Sequence, residues 1–244
     1  MRFVLLDETN GVGTSQGASL TPEVLKQIAS ALNVQLNRDY GPQCGGNYSV
    51  RVGDGAGDIQ VGEVVFAILP TLPNAPGDVA YHDVNGNGVP VCWDAITASD
   101  TLIGPGNSVS VAISHELLET PGDPGCNLWA DGGDGFEYAR ERCDAVESQS
   151  YQVQGVYVSN FLLDSFFVPG APGPYDFMSW GLLPGAVGPA KPFATAQGGY
   201  QLIRSSGAGE HQVTASATLQ STRYLARAAK RAFPLSRQAR RGLR

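Results

Sequence analysis

Apolar residues recur every three to four positions between residues 24 and 36, which is the spacing of one buried face of an α-helix. The residues of this stripe are Val24, Leu25, Ile28, Leu32 and Leu36. Thr21 supplies a helix-capping hydroxyl, and Pro22 suits the first helical turn. The pattern therefore predicts a helix from residue 22 to about Arg38 that packs against the core.

Apolar runs and alternating stretches predict strands before and after this helix. The run at residues 60–69 is nearly continuous in Val, Phe and Ile, so it predicts a central strand. Further strands are predicted at residues 1–8, 48–52, 79–82, 151–159 and 161–167, and short hairpins at 175–180 and 198–203. The 31 glycines and 16 prolines are spread along the chain and indicate many turns, as in an α+β or loop-rich protein.

A second helix is predicted after Asn107 or Ser108, either of which can cap it. Its first turns are apolar, and its centre has the sequence Ser-His-Glu-Leu-Leu-Glu at residues 114–119. Pro-Gly-Asp-Pro at residues 121–124 ends it. Apolar residues surround the polar ones, so the helix is predicted to be largely buried. Acids in such a helix need partners or a metal ion.

His115 and Glu119 are four residues apart, so they lie one above the other on one face of this helix and can hold the same ion. Glu116 points about a quarter-turn away, where a carboxylate can take a proton from water. The arrangement resembles the metal-binding helix of a zincin metallopeptidase whose second histidine is replaced by glutamate. The alternative is a packed helix whose two glutamates face water.

A third ligand is needed, and the acidic segment after the helix contains two candidates, Glu141 and Asp144. Glu141 follows Glu119 by 22 residues, within the range at which glutamate-type zincins place their third ligand. His82, at the end of a predicted strand, either approaches the site or is only hydrogen-bonded. The choice between the two acids stays open at this point.

Four short motifs occur in a fixed order along the chain. They are Ser-His-Glu-x-x-Glu at 114–119, Asp-Pro at 123–124, Glu-x-Cys-Asp-x-x-Glu at 141–147 and Val-Ser-Asn-Phe at 158–161. This set resembles a group of zincin-like proteins of bacteria and their phages. The likeness covers most of residues 1–205 and none of the C-terminal tail.

The resemblance implies a zincin-like α+β fold, in which a mixed β-sheet packs on a long N-terminal helix and a buried motif helix, with C-terminal hairpins. It implies that His115 and Glu119 are metal ligands, that Glu141 or Asp144 is the third, and that Glu116 is the general base. One imidazole and two carboxylates form a hard, oxygen-rich site, so Ca²⁺, Mg²⁺ or Mn²⁺ compete with Zn²⁺.

Residues 83–94 also match the spacing of a calcium-binding EF-hand loop, with Asp83, Asn85, Asn87 and Asp94 as ligands. An EF-hand loop lies between helices, however, and Pro90 and β-prone residues follow here. Asn-Gly repeats between strands are typical of hairpin turns. The segment therefore predicts either a calcium-binding loop or a hairpin turn.

The four cysteines form no Cys-x-x-Cys pair, which argues against a structural zinc knuckle. Cys126 and Cys143 flank the loop after the motif helix. They could close a disulfide around this loop in an oxidising compartment, or they could be free buried thiols.

The net charge of −7 conceals an uneven distribution of charge. Residues 1–222 contain all 23 acids and 8 of the 16 Lys and Arg residues, and residues 223–244 contain the other 8 basic residues. This division predicts a globular domain at 1–222 and a basic C-terminal tail at 223–244. The charge of the tail predicts that it docks on an acidic protein surface in an assembly, and nucleic acid is a less favoured partner. The alternative is a solvated tail without a partner.

No segment approaches the apolar length of a membrane span, and the apolar run at residues 1–8 is too short for a signal peptide. We therefore expect no membrane partner and a cytoplasmic location in the producing cell, or a place in a virion. Two functions follow from the sequence. The first is a metal-binding structural component of a larger assembly such as a phage capsid or tail, and the alternative is a metal-dependent peptidase.

Overall fold

A five-stranded mixed sheet forms the centre of the N-terminal half. The computed structural model describes residues 1–72, 75, 78–180, 188–205 and 209–214. The strands of this sheet are β1 (Arg2–Asp7), β2 (Ser49–Val52), β3 (Glu63–Leu69), β4 (Ala80–Val84) and β5 (Pro90–Ala95). Their order is β2-β1-β3-β5-β4; β4 is antiparallel to β5, and the other neighbours are parallel. The mixed sheet expected from the sequence is therefore present, with β4 at one edge.

The first helix, α1 (Pro22–Val34), continues through a π-helical segment, Gln35–Tyr40, into the short α2 (Gly41–Cys44). The Thr21 hydroxyl accepts the Val24 N–H at 3.3 Å, as expected of the cap. The predicted end near Arg38 is wrong, because the helical path continues beyond it. The wider π turn buries Gln35, Leu36, Asp39 and Tyr40 together.

The motif helix, α3 (Val109–Gly122), packs against β4 and β5 on one side and against β9 on the other. The remaining strands are β6 (Trp129–Asp131), β7 (Glu137–Ala139), β8 (Ser150–Val153), β9 (Val156–Ser159), β10 (Tyr200–Ser205) and β11 (Gly209–Thr214). β8 and β9 pair with each other, and the other four form an antiparallel sheet in the order β11-β10-β7-β6. The structure is thus mixed α+β with several sheets.

One apolar cluster joins the five-stranded sheet to α1 and α3. Its central side chains are fully buried and include Ile28, Leu32, Phe66, Ile113 and Leu117. Burying one side chain of this size stabilises the fold by about 1.5 to 3 kcal/mol. The helix stripe predicted from the sequence therefore does face the core.

Two predicted C-terminal elements are wrong. Residues 164–167 form a 3₁₀ turn, Asp164–Phe167, where a strand was predicted, and residues 178–180 form another, Met178–Trp180, where a hairpin was predicted. The Asp176 carboxylate accepts the Ser179 N–H at 3.0 Å and the Asn160 amide at 2.8 Å. Such bonds from side chains to the backbone stabilise turns in preference to strands. The hairpin predicted near residues 198–203 is present as β10 and β11.

The EF-hand interpretation of residues 83–94 is also wrong. Asp83 lies on β4 opposite Val91, and Asp94 lies on β5 opposite Ala80, so the two acids are at separate positions along a β-hairpin. The Asn85 side chain accepts the N–H groups of Asn87 and Val89 and closes the turn. Asparagine stabilises turns in this way, and among the described residues no α-helix adjoins the segment.

The basic tail at residues 223–244 lies outside the described residues. None of the helices in the described part of the chain combines the length and the apolar character needed to cross a membrane.

Candidate metal centre

The motif helix is held rigidly in the interior. The hydroxyl of its cap, Ser108, accepts the Val111 N–H at 3.3 Å, and every residue from 109 to 120 is buried. Near its end, the Thr120 hydroxyl donates to the Glu116 carbonyl at 2.7 Å and contacts the Cys92 thiol of β5 at 3.2 Å. The helix is largely buried, as the sequence predicts, and the polar residues of the motif are buried with it.

His115, Glu119 and Asp144 bring three potential ligand atoms together. The Nε2 of His115 lies 3.3 Å from Glu119 Oε1 and 3.2 Å from Asp144 Oδ1. The three atoms lie within 4.8 Å of one another, and all three residues are buried. We call this set the metal triad. Of the two acids considered as third ligand, Asp144 is the one beside His115.

The position of Asp144 depends on contacts that the turn around it makes with α3 and β10. The neighbouring Cys143 N–H donates to Glu119 Oε1 at 3.0 Å, which ties the turn to the motif helix. On the other side, Gly199 packs so closely that a Cβ atom there would lie 2.4 Å from the Ala145 carbonyl oxygen. Only glycine permits this approach, so the Gly-Gly pair before β10 helps to place the third acid.

Glu116 faces strand β4 rather than the triad. Its Oε2 lies 2.9 Å from Nδ1 of His82, whose other nitrogen, Nε2, lies 3.2 Å from the Asp123 carbonyl oxygen. The Nδ1 of His82 is also 3.7 Å from Glu119 Oε2. Glu119 therefore lies between two histidines. His82 is hydrogen-bonded and also approaches the site, since it forms another group of potential ligands with Glu116 and Glu119.

Glu141 lies apart from the triad, at the Nε2 side of His82. Its Oε2 is 3.9 Å from that nitrogen, and it forms a further group of potential ligands with His82 and Cys126. The sequence did not indicate Cys126 as a ligand, because the signal was a lone cysteine in a loop. The sequence signals for this group were His82, at the end of a predicted strand, and Glu141, in the acidic segment.

The Cys126–Cys143 disulfide is not formed, since all four cysteines are free. The Cys126 thiol points to strand β4 and donates to the His82 carbonyl at 3.2 Å. Cys143 is fully buried in the core cluster instead. The two residues flank one loop in the sequence, but their side chains face different neighbours.

Electrostatics favour positive charge at both histidines. Burial lowers the pKa of His115, but the charge of Glu119 and the hydrogen bond to Asp144 outweigh it and raise this pKa to about 10. Burial likewise lowers the pKa of His82, while Cys126, Glu116 and Glu141 bring it well above its usual value. The surrounding negative charge that produces these shifts would also attract a metal cation.

A cavity of about 490 Å³ borders His115 and Glu116. Val79 and Ala80, at the edge strand, and Ala112 of α3 supply apolar walls. Polar groups of Ser148 and Gln212 also line the cavity. A ligand of moderate size could therefore reach the side chains of the motif helix.

Comparisons with known protein families, with curated proteins and with solved structures found no match to this chain. The class of site is defined by its geometry alone: a buried His/Glu/Asp group that could hold a metal ion, next to a cavity.

Proposed function

We propose that this protein is a zincin-like, metal-dependent hydrolase that cleaves peptides. The observation that carries the proposal is that His115, a member of the metal triad, and Glu116 line the same cavity. A catalytic zinc site has three protein ligands and keeps a further position for water or substrate. His115, Glu119 and Asp144 match this ligand count.

The triad favours a transition metal over Ca²⁺. Calcium takes six to eight oxygen ligands, whereas His115 contributes a nitrogen, and only two carboxylates accompany it. Imidazole with carboxylates suits Zn²⁺ and Mn²⁺. When bound, such an ion lowers the pKa of water and polarises a carbonyl oxygen.

Glu116 is proposed as the general base, as the sequence motif implies. Its neighbour His82 contacts Glu116 Oε2 at 2.9 Å and so orients the carboxylate. Burial of the carboxylate, which is only 2% exposed, keeps bulk water from competing for it. A carboxylate held in this way can accept a proton from a water molecule in the cavity.

The substrate class is inferred from the edge strand. β4 is the outermost strand of the five-stranded sheet among the described residues, and Val79 and Ala80 line the cavity. An extended peptide can add to such an edge through main-chain hydrogen bonds. This placement would bring its backbone past His115 and Glu116.

The test is hydrolysis of casein by the purified protein in the presence of Zn²⁺, Mn²⁺, Mg²⁺ or Ca²⁺. We expect Glu116→Gln to lower the rate by at least about 100-fold while bound metal is retained. Glu147→Gln is the matched control, because Glu147 lines the same cavity without belonging to the triad. Activity that survives Glu116→Gln would contradict the role of this residue.

The uneven charge favours a second candidate function, a structural component of a larger assembly such as a phage virion. Eight basic residues lie in the last 22 residues, after a body that contains all 23 acids. Such a tail would bind an acidic protein surface. Its anchoring role does not exclude an active site in the body.

Removal of residues 223–244 tests this second function. We expect loss of incorporation into particles, and the same loss when all eight basic residues are replaced by glutamine. Incorporation that is unchanged by both variants would contradict it. If the tail binds nucleic acid instead, affinity for DNA falls steeply as salt increases.

A further inference from the structure

A second group of donor atoms lies on the far side of the His82 ring from the metal triad. It consists of His82, Cys126 and Glu141, whose donor atoms all lie within 4.8 Å of one another. Within this group, His82 Nε2 and Glu141 Oε2 are 3.9 Å apart. None of the three residues belongs to the triad, although His82 also forms a group with Glu116 and Glu119 of the motif helix.

The His82 ring has the orientation of a metal-binding histidine. Its Nδ1 faces Glu116 Oε2 at 2.9 Å, while its Nε2 faces Glu141. Histidines that bind metals almost always donate the other ring N–H to a carboxylate or carbonyl, which sets the tautomer and orients the ring. Glu116 supplies that carboxylate at Nδ1. Nε2 lies 3.2 Å from the Asp123 carbonyl oxygen and 3.9 Å from Glu141 Oε2, and it is the nitrogen that would bind an ion on this side.

Cys126 is brought to the same place by a well-anchored loop. The Asp123 carboxylate accepts the N–H groups of Asn127 and Leu128, both at 2.9 Å. Within this loop Cys126 has a left-handed backbone, with φ of 48°, which is uncommon for a residue other than glycine. Its thiol consequently lies against β4, 3.2 Å from the His82 carbonyl oxygen.

The donor set is typical of a transition metal. Zinc bonds of about 2.0 to 2.3 Å in a tetrahedron place neighbouring ligand atoms about 3.3 to 3.8 Å apart. The 3.9 Å between His82 Nε2 and Glu141 Oε2 is close to this separation. A thiolate selects Zn²⁺ over Ca²⁺ and Mg²⁺, which prefer oxygen.

We propose that His82 Nε2, Cys126 Sγ and the Glu141 carboxylate form a second metal position that prefers Zn²⁺. The His82 ring and the carboxylates of Glu116 and Glu119 separate it from the triad. Because Glu116 holds His82, an ion here would fix the orientation of the general base proposed for hydrolysis. The position itself depends on neither the triad nor any hydrolytic activity.

Cobalt binding distinguishes the two positions, because a thiolate bound to Co²⁺ produces a charge-transfer band in the near ultraviolet and the triad contains no sulfur. We expect reduced wild-type protein titrated with Co²⁺ to show this band, and Zn²⁺ to abolish it. Cys126→Ser should remove the band and lower Zn²⁺ affinity at this position by at least about tenfold. Cys44→Ser, which changes a half-buried thiol outside the group, should leave the band unchanged.

Asp144→Asn separates this proposal from the one for the triad. This substitution should abolish cobalt binding at the metal triad, which has no sulfur ligand. The charge-transfer band from the position at Cys126 should remain. Circular dichroism and thermal unfolding of each variant establish that it is folded. A wild-type protein without the band, or a band that persists in folded Cys126→Ser, would overturn the second position whatever the outcome at the triad.

Discussion

At the residue scale, the central feature is an imidazole between two carboxylates. The Nε2 of His115 is within 3.3 Å of oxygens of both Glu119 and Asp144. The same atoms can stabilise either a proton on the ring or a cation between the three groups. A proton on His115 and a metal ion should therefore compete for the site between these three side chains.

This competition predicts release of a proton when a metal ion binds. Despite the opposing effect of burial, the pKa of His115 is raised from 6.5 to about 10, so the ring is protonated at neutral pH before an ion enters. Apparent affinity should rise about tenfold per pH unit between pH 7 and 9. Calorimetry in two buffers of different ionisation enthalpy measures the protons released; an affinity independent of pH would contradict this account.

The raised pKa of His115 also makes the stability of the metal-free protein depend on pH. Because the folded-state pKa of His115 lies above 6.5, its protonation stabilises the fold fully below pH 6.5. That contribution is lost as the pH rises towards about 10. Urea unfolding in the presence of a chelator should show this decline, and His115→Gln should reduce it.

At the element scale, Ser114 connects three parts of the fold. Its hydroxyl donates to the Gln35 side chain of the π segment at 2.7 Å and accepts the Ser159 N–H of β9 at 3.0 Å. Gln35 in turn donates to the Ser159 carbonyl at 2.8 Å. The serine that precedes the motif histidine therefore has a structural role, since it holds α3 against its neighbours.

Ser114→Ala should destabilise the fold by about 1 to 3 kcal/mol, because buried polar groups of Gln35 and Ser159 lose a partner. Ser30→Ala is the matched control. Its hydroxyl bonds to the Gln154 side chain in an exposed place, so a change within about 0.5 kcal/mol is expected. Urea unfolding provides both values; equal effects of the two substitutions would refute the structural role of Ser114.

Gly199→Ala tests the contact that positions Asp144. A Cβ atom would lie 2.4 Å from the Ala145 carbonyl oxygen, so either β10 or the turn that carries Asp144 must move. We expect a loss of about 1 to 3 kcal/mol in stability, together with weaker metal binding. At Gly57 nothing lies within 4 Å of the added Cβ, so Gly57→Ala should preserve metal affinity. Unchanged affinity in Gly199→Ala would show that this contact does not place the third ligand.

Periodicity was sufficient to predict both helices and the strands next to them. The i, i+4 spacing of His115 and Glu119 is a local property, so it could be predicted without the fold. That Asp144, and not Glu141, lies beside His115 could not be predicted, because it depends on a 3₁₀ turn packed against Gly199. The contacts of His82 with Glu116 and Glu141 cross between separate elements, and no local pattern encodes them.

Turns produced the main errors of prediction. Residues 83–94 have the acids and amides of a calcium loop, yet Asn85 closes a hairpin turn there. Residues 161–167 alternate like a strand, yet Asp164–Phe167 forms a 3₁₀ turn. In both cases local hydrogen bonds or packing determined the structure, and the pattern of residue types did not.

At the scale of the whole molecule, the triad and the group around His82 lie where three layers meet. α3 lies between the five-stranded sheet and the β8–β9 pair, and the turn with Asp144 joins it from the side. Residues 82–144 supply every side chain in both groups. Removal of the tail at 223–244 should therefore leave metal binding by the body unchanged.

Anomalous diffraction from crystals grown with Zn²⁺ or Mn²⁺ would show directly whether the metal triad binds an ion. We predict a peak within about 2.0 to 2.2 Å of His115 Nε2 and of a carboxylate oxygen from each of Glu119 and Asp144. Asp144→Asn should weaken or abolish this peak under the same conditions. Wild-type crystals with no anomalous peak among these three residues would contradict the central claim that they bind a metal ion.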